Sequence, residues 1–272
     1  MLKARLIVKI ITAATLAIKN LRYHQVGKCN ICGKSTIFIC IDAATVRNNM
    51  YCPFCKSSSR KRHVAKLLIN QVIPNIYSLA EVSSNKHLDN RDKFSKLNIY
   101  NADLNDAFYQ VLHSATSYYC SSYIPNVEIG KEIRKQVFCQ DLEKLTFASE
   151  KFDVVITEDV FEHIRDYEKA FREVYRVLKT GGYHIFTIPC FFDKPTLVRV
   201  DTSGEEDIHL LPPEYHGDKI RGKILAYRTF GIDIFAILEK IGFETTVDFS
   251  NYLDRNYGIF DSYAFCSRKV EQ

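Results

Sequence analysis

The run Phe152-Asp153-Val154-Val155-Ile156-Thr157 decides the fold. Its apolar, β-branched residues follow one another without alternation, which suits a strand covered on both faces. A helix is expected next, over Tyr167 to Lys179. Asp166 stands at the N-cap, Glu168 falls in the first turn, and Ala170, Val174, Val177 and Leu178 form an apolar stripe flanked by Phe171 and Tyr175. Gly181-Gly182 ends that helix, because glycine accepts the left-handed backbone that closes one. Tyr183 to Ile188 reads as a second covered strand, stopped by Pro189.

The same alternation extends in both directions. Leu97–Asn101, Ser117–Tyr123 and Gln136–Cys139 read as strands before this block, and Asp106–Leu112 as a helix. After it, Ile232–Ile241 reads as an amphipathic helix closed by Gly242, followed by strands over Glu244–Phe249 and Ser262–Ser267. Strands alternating with helices imply an α/β fold, a mostly parallel sheet with helices on both faces. Such sheets bind ligands beyond the carboxyl ends of their strands.

A different chemistry precedes this. Cys29-Asn30-Ile31-Cys32 and Cys52-Pro53-Phe54-Cys55 are two short cysteine pairs separated by nineteen residues. Four thiolates in this spacing complete a tetrahedral shell for structural zinc, which leaves no coordination position open for catalysis. The other five of the nine cysteines are scattered, several in apolar runs, as expected of small buried side chains in a reducing, cytoplasmic setting. The expected organisation is an amphipathic helix over residues 1–26, the zinc ribbon and a following helix over 27–77, a polar linker over 78–96 and the α/β domain over 97–272. With 46% hydrophobic residues the chain can build a sizeable core. Its net charge of +5 permits a polyanionic partner without requiring one.

In the leading segment, Lys9 interrupts the apolar run, so neither a signal peptide nor a membrane span is expected. Leu6, Ile10, Ala13, Ala14 and Ala17 recur at helical spacing, and the helix is expected either on a membrane surface or partner, or against the chain's own body. Arg60-Lys61-Arg62-His63, at the start of the helix after the ribbon, reads as a solvated face or a nucleic-acid contact.

The string from Phe152 through Glu158, Glu162-His163 and Phe171 to Gly181-Gly182 resembles the S-adenosylmethionine-dependent methyltransferases of the Rossmann-like class, in the type 11 methyltransferase-like group. The resemblance extends over about residues 97–267. It implies a seven-stranded sheet and S-adenosylmethionine as cofactor. It also implies that Asp141 accepts a hydrogen bond from the adenine amino group, that Leu142 offers a backbone N–H to the ring, and that Glu158 lines the cofactor and reaction cavity. The turn after the first strand, Asn101-Ala102-Asp103-Leu104-Asn105-Asp106, lacks the family's glycines. Ser122 stands where many members hold the ribose with an acid.

Methyl transfer is an in-line displacement, so the protein mainly aligns the partners and removes one proton. His163 and His216 are the candidate bases, because a histidine titrates in the range suited to a hydroxyl acceptor. Glu205, Glu206, Asp207 and His209 read as a solvated loop rather than a second cation site. The expected reaction is methylation of a small-molecule or glycan-like acceptor at oxygen. An RNA methyltransferase using the ribbon to hold its substrate, and a non-catalytic methyltransferase-like binding protein, are the other two readings.

Overall fold

A computed structural model describes residues 11–271 apart from 13, 84–93, 105–106, 115–116, 219 and 251–252. Leu6, Ile10 and Ala13 of the leading segment and Asn105 and Asp106 of the glycine-free turn therefore lie outside the described residues. The chain forms two units, one of Met1–Phe94, Asn105–Ala115 and Asp248–Ala264, the other of Ser95–Leu104, Thr116–Val247 and Phe265–Gln272.

In the first unit, Gln25–Lys28, Ser35–Cys40 and Met50–Tyr51 form a three-stranded antiparallel sheet. Helix α1 (Ser59–Val72) follows, capped by the Ser58 hydroxyl, which accepts the Lys61 N–H. Val64, Leu67 and Leu68 are buried, as their spacing predicts. The basic start of this helix is not a solvated face, however, because Arg62 and His63 are both fully buried. Arg62 donates to the carbonyls of Ser57, Met50, Tyr257 and Gly258, and its guanidinium lies 4.1 Å from the centre of the Phe38 ring. His63 Nδ1 sits 3.1 Å from Ser262 Oγ. Gly258 has a positive φ of 62°, and a Cβ there would overlap the Phe38 ring, so only glycine fits. Helix α2 (Ala107–Leu112) completes this unit.

The expected linker is only partly one. Leu79 and Ala80 donate their N–H groups to the Asn30 and Ile31 carbonyls, and Ser78, Leu79 and Val82 are buried. These residues close over the first cysteine loop, satisfying carbonyls that would otherwise be stranded.

The second unit is built on an eight-stranded sheet. Its strands are β1 (Asn98–Asn101), β2 (Ser117–Ser122), β3 (Glu132–Arg134), β4 (Val137–Cys139), β5 (Phe152–Glu158), β6 (Leu178–Thr187), β7 (Phe243–Phe249) and β8 (Tyr263–Lys269), in the spatial order β7-β8-β6-β5-β1-β2-β4-β3. The pairs β6/β5, β5/β1, β1/β2 and β2/β4 are parallel, whereas β8/β6 and β4/β3 are antiparallel. One strand more than expected is present: β3 is short, exposed and at the edge, where little hydrophobic patterning is needed. From β1 the chain steps outward through β2 to β4, then returns to the other side of β1 as β5. In sheets of this kind such a reversal, at the carboxyl ends of β1 and β5, is where ligands bind.

Helix α3 (Tyr167–Val177) is shorter than its spacing predicts. Leu178 leaves it with an extended backbone and pairs with Phe152, so β6 runs from Leu178 through Gly181 at φ 80°. Asp166 caps α3 as expected, accepting the Lys169 N–H at 2.9 Å. Helix α4 (Ile234–Ile241) ends in left-handed Gly242. Between β6 and α4 the described residues of the polar insertion form three small antiparallel pairs, the longest joining Glu214–Asp218 to Gly222–Ala226.

Lysine cannot supply Arg62's planar fork of donors, so Arg62→Lys leaves buried carbonyls unbonded. It is expected to lower stability by about 2–4 kcal/mol in chemical denaturation, and an unchanged midpoint refutes this account of the first unit. In the second unit, His184 is fully buried with Nε2 2.9 Å from Thr157 Oγ1, and burial pushes its pKa down to about 3. Unfolding returns it to about 6.5, so its stabilising contribution is complete above that pH and is lost as pH falls toward the folded value. Unfolding free energy measured between about pH 6 and pH 4 should drop less steeply in His184→Phe, by about 1.4 kcal/mol per pH unit.

Candidate functional site

Four adjacent parallel strands end in polar groups. Asn101 closes β1, Ser122 closes β2, Asp141 follows β4 and Glu158 closes β5. The register pairs Asn101 with Ile156 and with Cys120, and Ser122 with Cys139, so β5 and β2 each project two residues past β1. With strands about 4.8 Å apart, the row spans about 14 Å, the scale of an extended nucleoside ligand. Asn101 is fully buried and its Nδ2 donates to the Tyr118 hydroxyl at 2.8 Å. Asp141 accepts the Glu143 N–H at 2.9 Å, a local turn that holds the carboxylate just beyond β4. Gln140 fixes the same loop through Thr146, donating from Nε2 at 2.7 Å and accepting the Thr146 N–H at 3.1 Å. Leu142 and Glu158 are each 8% exposed, at the border of the core.

A second cluster lies past β5 in the short turn Phe161–His163. Tyr227 donates its N–H to the Glu162 carbonyl, and buried Arg228 donates to the carbonyls of Phe161, Ile164 and Arg165. So braced, the turn presents Glu162, fully buried, and His163. The hairpin Glu214–Ala226 brings in His216, whose Nδ1 lies 3.1 Å from His163 Nε2. Glu162 Oε1 is 3.6 Å from His163 Nε2 and 3.7 Å from His216 Nδ1. The outer ring nitrogens are anchored: His163 Nδ1 is 2.7 Å from the Leu225 carbonyl and His216 Nε2 is 3.1 Å from Glu214 Oε1. Burial pushes the His163 pKa down to about 4, with the neighbouring His216 adding to the drop, so its ring is uncharged at neutral pH.

The structure thus brings the two predicted histidines together and adds Glu162, Glu214 and Arg228, which the sequence reading did not assign to the site. Glu214 and His216 sit two apart on one strand, hence on one face, a signal that was available in the sequence. Arg228 carried no such mark. In the acidic loop, Asp207 accepts from Arg165 Nε at 2.8 Å, as a solvated loop would allow.

In the first unit the four cysteine sulfurs converge within 4.8 Å of one another, with Cys29–Cys55 at 3.7 Å and Cys32–Cys52 at 3.8 Å. Tetrahedral zinc with Zn–S bonds of about 2.3 Å requires sulfurs about 3.8 Å apart, so these residues fit that ion. The two loops are built alike. Gly33 and Lys56, each following a second cysteine, have φ of 73° and 62° and donate their N–H groups to the carbonyls of Cys29 and Cys52. Ser57 Oγ lies 3.2 Å from Cys55 Sγ, and its carbonyl accepts from Arg62. With zinc bound to four thiolates, the buried guanidinium would offset part of the shell's net negative charge. Burial lowers its pKa to about 10, the thiolates oppose that drop, and it stays protonated.

Among the described residues, no helix is long and apolar enough to cross a membrane. A surface cavity between α3 and α4, lined by Arg172, Tyr175, Ile237 and Lys240, lies on helix faces rather than at strand ends.

No curated protein matches the sequence. Solved structures resemble it distantly. An S-adenosylmethionine-dependent methyltransferase from Mesorhizobium loti is 14% identical, with 64% of this chain and 92% of that one covered and a TM-score of 0.39. The YcgJ protein from Bacillus subtilis is 13% identical over 66% and 94%, with a TM-score of 0.41. Phosphoethanolamine N-methyltransferase 2 from Haemonchus contortus, in complex with S-adenosyl-L-methionine, is 14% identical over 79% and 60%, with a TM-score of 0.39. Residues 106–186, which include β2, β4, β5, α3 and most of β6, match the family described as a methyltransferase domain.

Proposed function

We propose that the second unit binds S-adenosylmethionine across the carboxyl ends of β5, β1, β2 and β4 and directs its methyl group to an oxygen of a small-molecule or glycan-like acceptor. The observation that supports this most is the row Glu158, Asn101, Ser122 and Asp141 at a reversal of strand order. The cofactor supplies a methyl group on a sulfonium, a good leaving group. Asp141, an acceptor only, suits the adenine amino group, and Leu142 supplies the neighbouring backbone N–H. Ser122 serves the ribose without charge assistance, Asn101 serves the methionine portion, and Glu158 lines the reaction cavity. His163 and His216 stand ready for the acceptor's proton, with Glu214 steadying His216.

The RNA reading loses support, since two of the four residues of the basic stretch are buried in the first unit. The cysteine cluster is a closed structural zinc site in this proposal. The helical residues 14–19 are exposed apart from Ala17, which favours contact with a membrane surface or partner. That none of the nine cysteines is in a disulfide suits a reducing, cytoplasmic setting.

Calorimetry with S-adenosylmethionine and its demethylated product should show binding by the zinc-loaded chain, weakened about tenfold or more in Asp141→Ala, as expected for a lost bond worth about 1.4 kcal/mol. No binding by folded protein overturns the enzymatic reading, and unchanged affinity in the variant removes the adenine assignment. Radiolabelled methyl transfer into separate glycan, RNA and small-molecule pools identifies the acceptor. For the structural metal, Cys55→Ser should cost the chain one bound zinc and destabilise the first unit. A folded variant with undiminished zinc sinks that assignment.

A further inference from the structure

We propose that Glu162, His163 and His216 bind a divalent transition-metal ion, separate from the four-cysteine site. The three facing atoms form a triangle with edges of 3.1, 3.6 and 3.7 Å. The point equidistant from all three in their plane is about 2.0 Å from each, which is the length of a zinc–imidazole or zinc–carboxylate bond. An ion slightly out of that plane keeps the same partners at marginally longer distances.

The ring contacts point the same way. The outer ring nitrogens are already engaged, His163 Nδ1 with the Leu225 carbonyl and His216 Nε2 with the Glu214 carboxylate. The inner nitrogens, His163 Nε2 and His216 Nδ1, are the ones turned toward each other and the Glu162 carboxylate. Two imidazole nitrogens and one carboxylate oxygen thus converge on one point, the donor set of a divalent transition-metal ion. The outer partners have the form expected around a metal site, where each ligand histidine gives its other N–H to a carbonyl or carboxylate. The ligands are also held in place: Arg228 and Tyr227 brace the Glu162 turn, and Arg199 pairs with Glu214.

Two imidazoles and a carboxylate suit zinc, cobalt, iron or manganese rather than the harder calcium or magnesium. Three protein ligands leave further positions open, unlike the closed cysteine shell, so the ion can take a water or a substrate oxygen. The cluster follows the carboxyl end of β5, on the same edge of the sheet as the proposed cofactor row. With the ion bound, His163 and His216 would serve as its ligands rather than as free bases, and an acceptor hydroxyl bound to the ion would release its proton to solvent more easily. That last consequence rests on the methyl-transfer reading; the binding of the ion does not.

The test is addition of cobalt(II) to the 272-residue chain as purified, with its cysteine site filled by zinc. Visible d–d bands should grow to one equivalent without a thiolate charge-transfer band, because the ligands are nitrogen and oxygen. His216 is partly exposed on a hairpin, so His216→Ala should fold, and Glu162→Gln is isosteric. Both are expected to lose this cobalt, and Glu214→Gln to bind it about 10–100-fold more weakly. Absence of such bands in the wild-type chain, or full affinity in either folded ligand variant, overturns the proposal. The readout is independent of methyl transfer, so failure of one reading leaves the other standing.

Discussion

The pairing of β5 with β1 is the constraint on which the second unit depends. Both strands are buried, so their backbone N–H and C=O groups must find partners within the sheet. Parallel pairing on both sides of β1 meets that demand and brings four strand ends to one edge. The polar residues that cannot continue into a covered sheet collect there. Glu158, Asn101 and Ser122 share an edge because their strands share a direction, and the turn carrying Glu162 and His163 issues from the same edge.

The first unit solves a different problem. A metal-bound cluster of thiolates and a fully buried guanidinium would each carry a large desolvation cost. Placed side by side, with the Ser57 carbonyl and hydroxyl between them, they offset one another. Arg62 also ties strand Met50–Tyr51, the second cysteine loop and the segment around Gly258 to one planar group. His184 in the second unit shows the contrasting solution, in which the buried group gives up its charge.

Much of this was legible in the sequence, for physical reasons that differ by element. The covered strand Phe152–Glu158, the Asp166 cap, the Gly242 terminus and the cysteine loop at Gly33 are written in local patterns. Leu178 was misread because its apolar spacing fits α3, while its pairing with Phe152 is a tertiary fact. Arg62 and His63 were misread because charge alone suggests a solvated face, and nothing nearby in sequence announces the carbonyls of Tyr257 and Gly258. The same distance hides the meeting of His163 with His216, which a hairpin brings together.

The contacts of Arg62 also set an order of events. Its partners at Tyr257 and Gly258 lie 195 and 196 residues further along the chain. At synthesis rates of about 5–20 residues per second, roughly 10–40 s pass between the emergence of Arg62 and that of its last carbonyl. During that interval the cysteine loops can gather metal, but the guanidinium beside them stays hydrated and Phe38 lacks its Gly258 neighbour. Completion of the amino-terminal core is thus deferred until the carboxyl-terminal segment arrives. A truncation there would be felt first at the opposite end of the sequence.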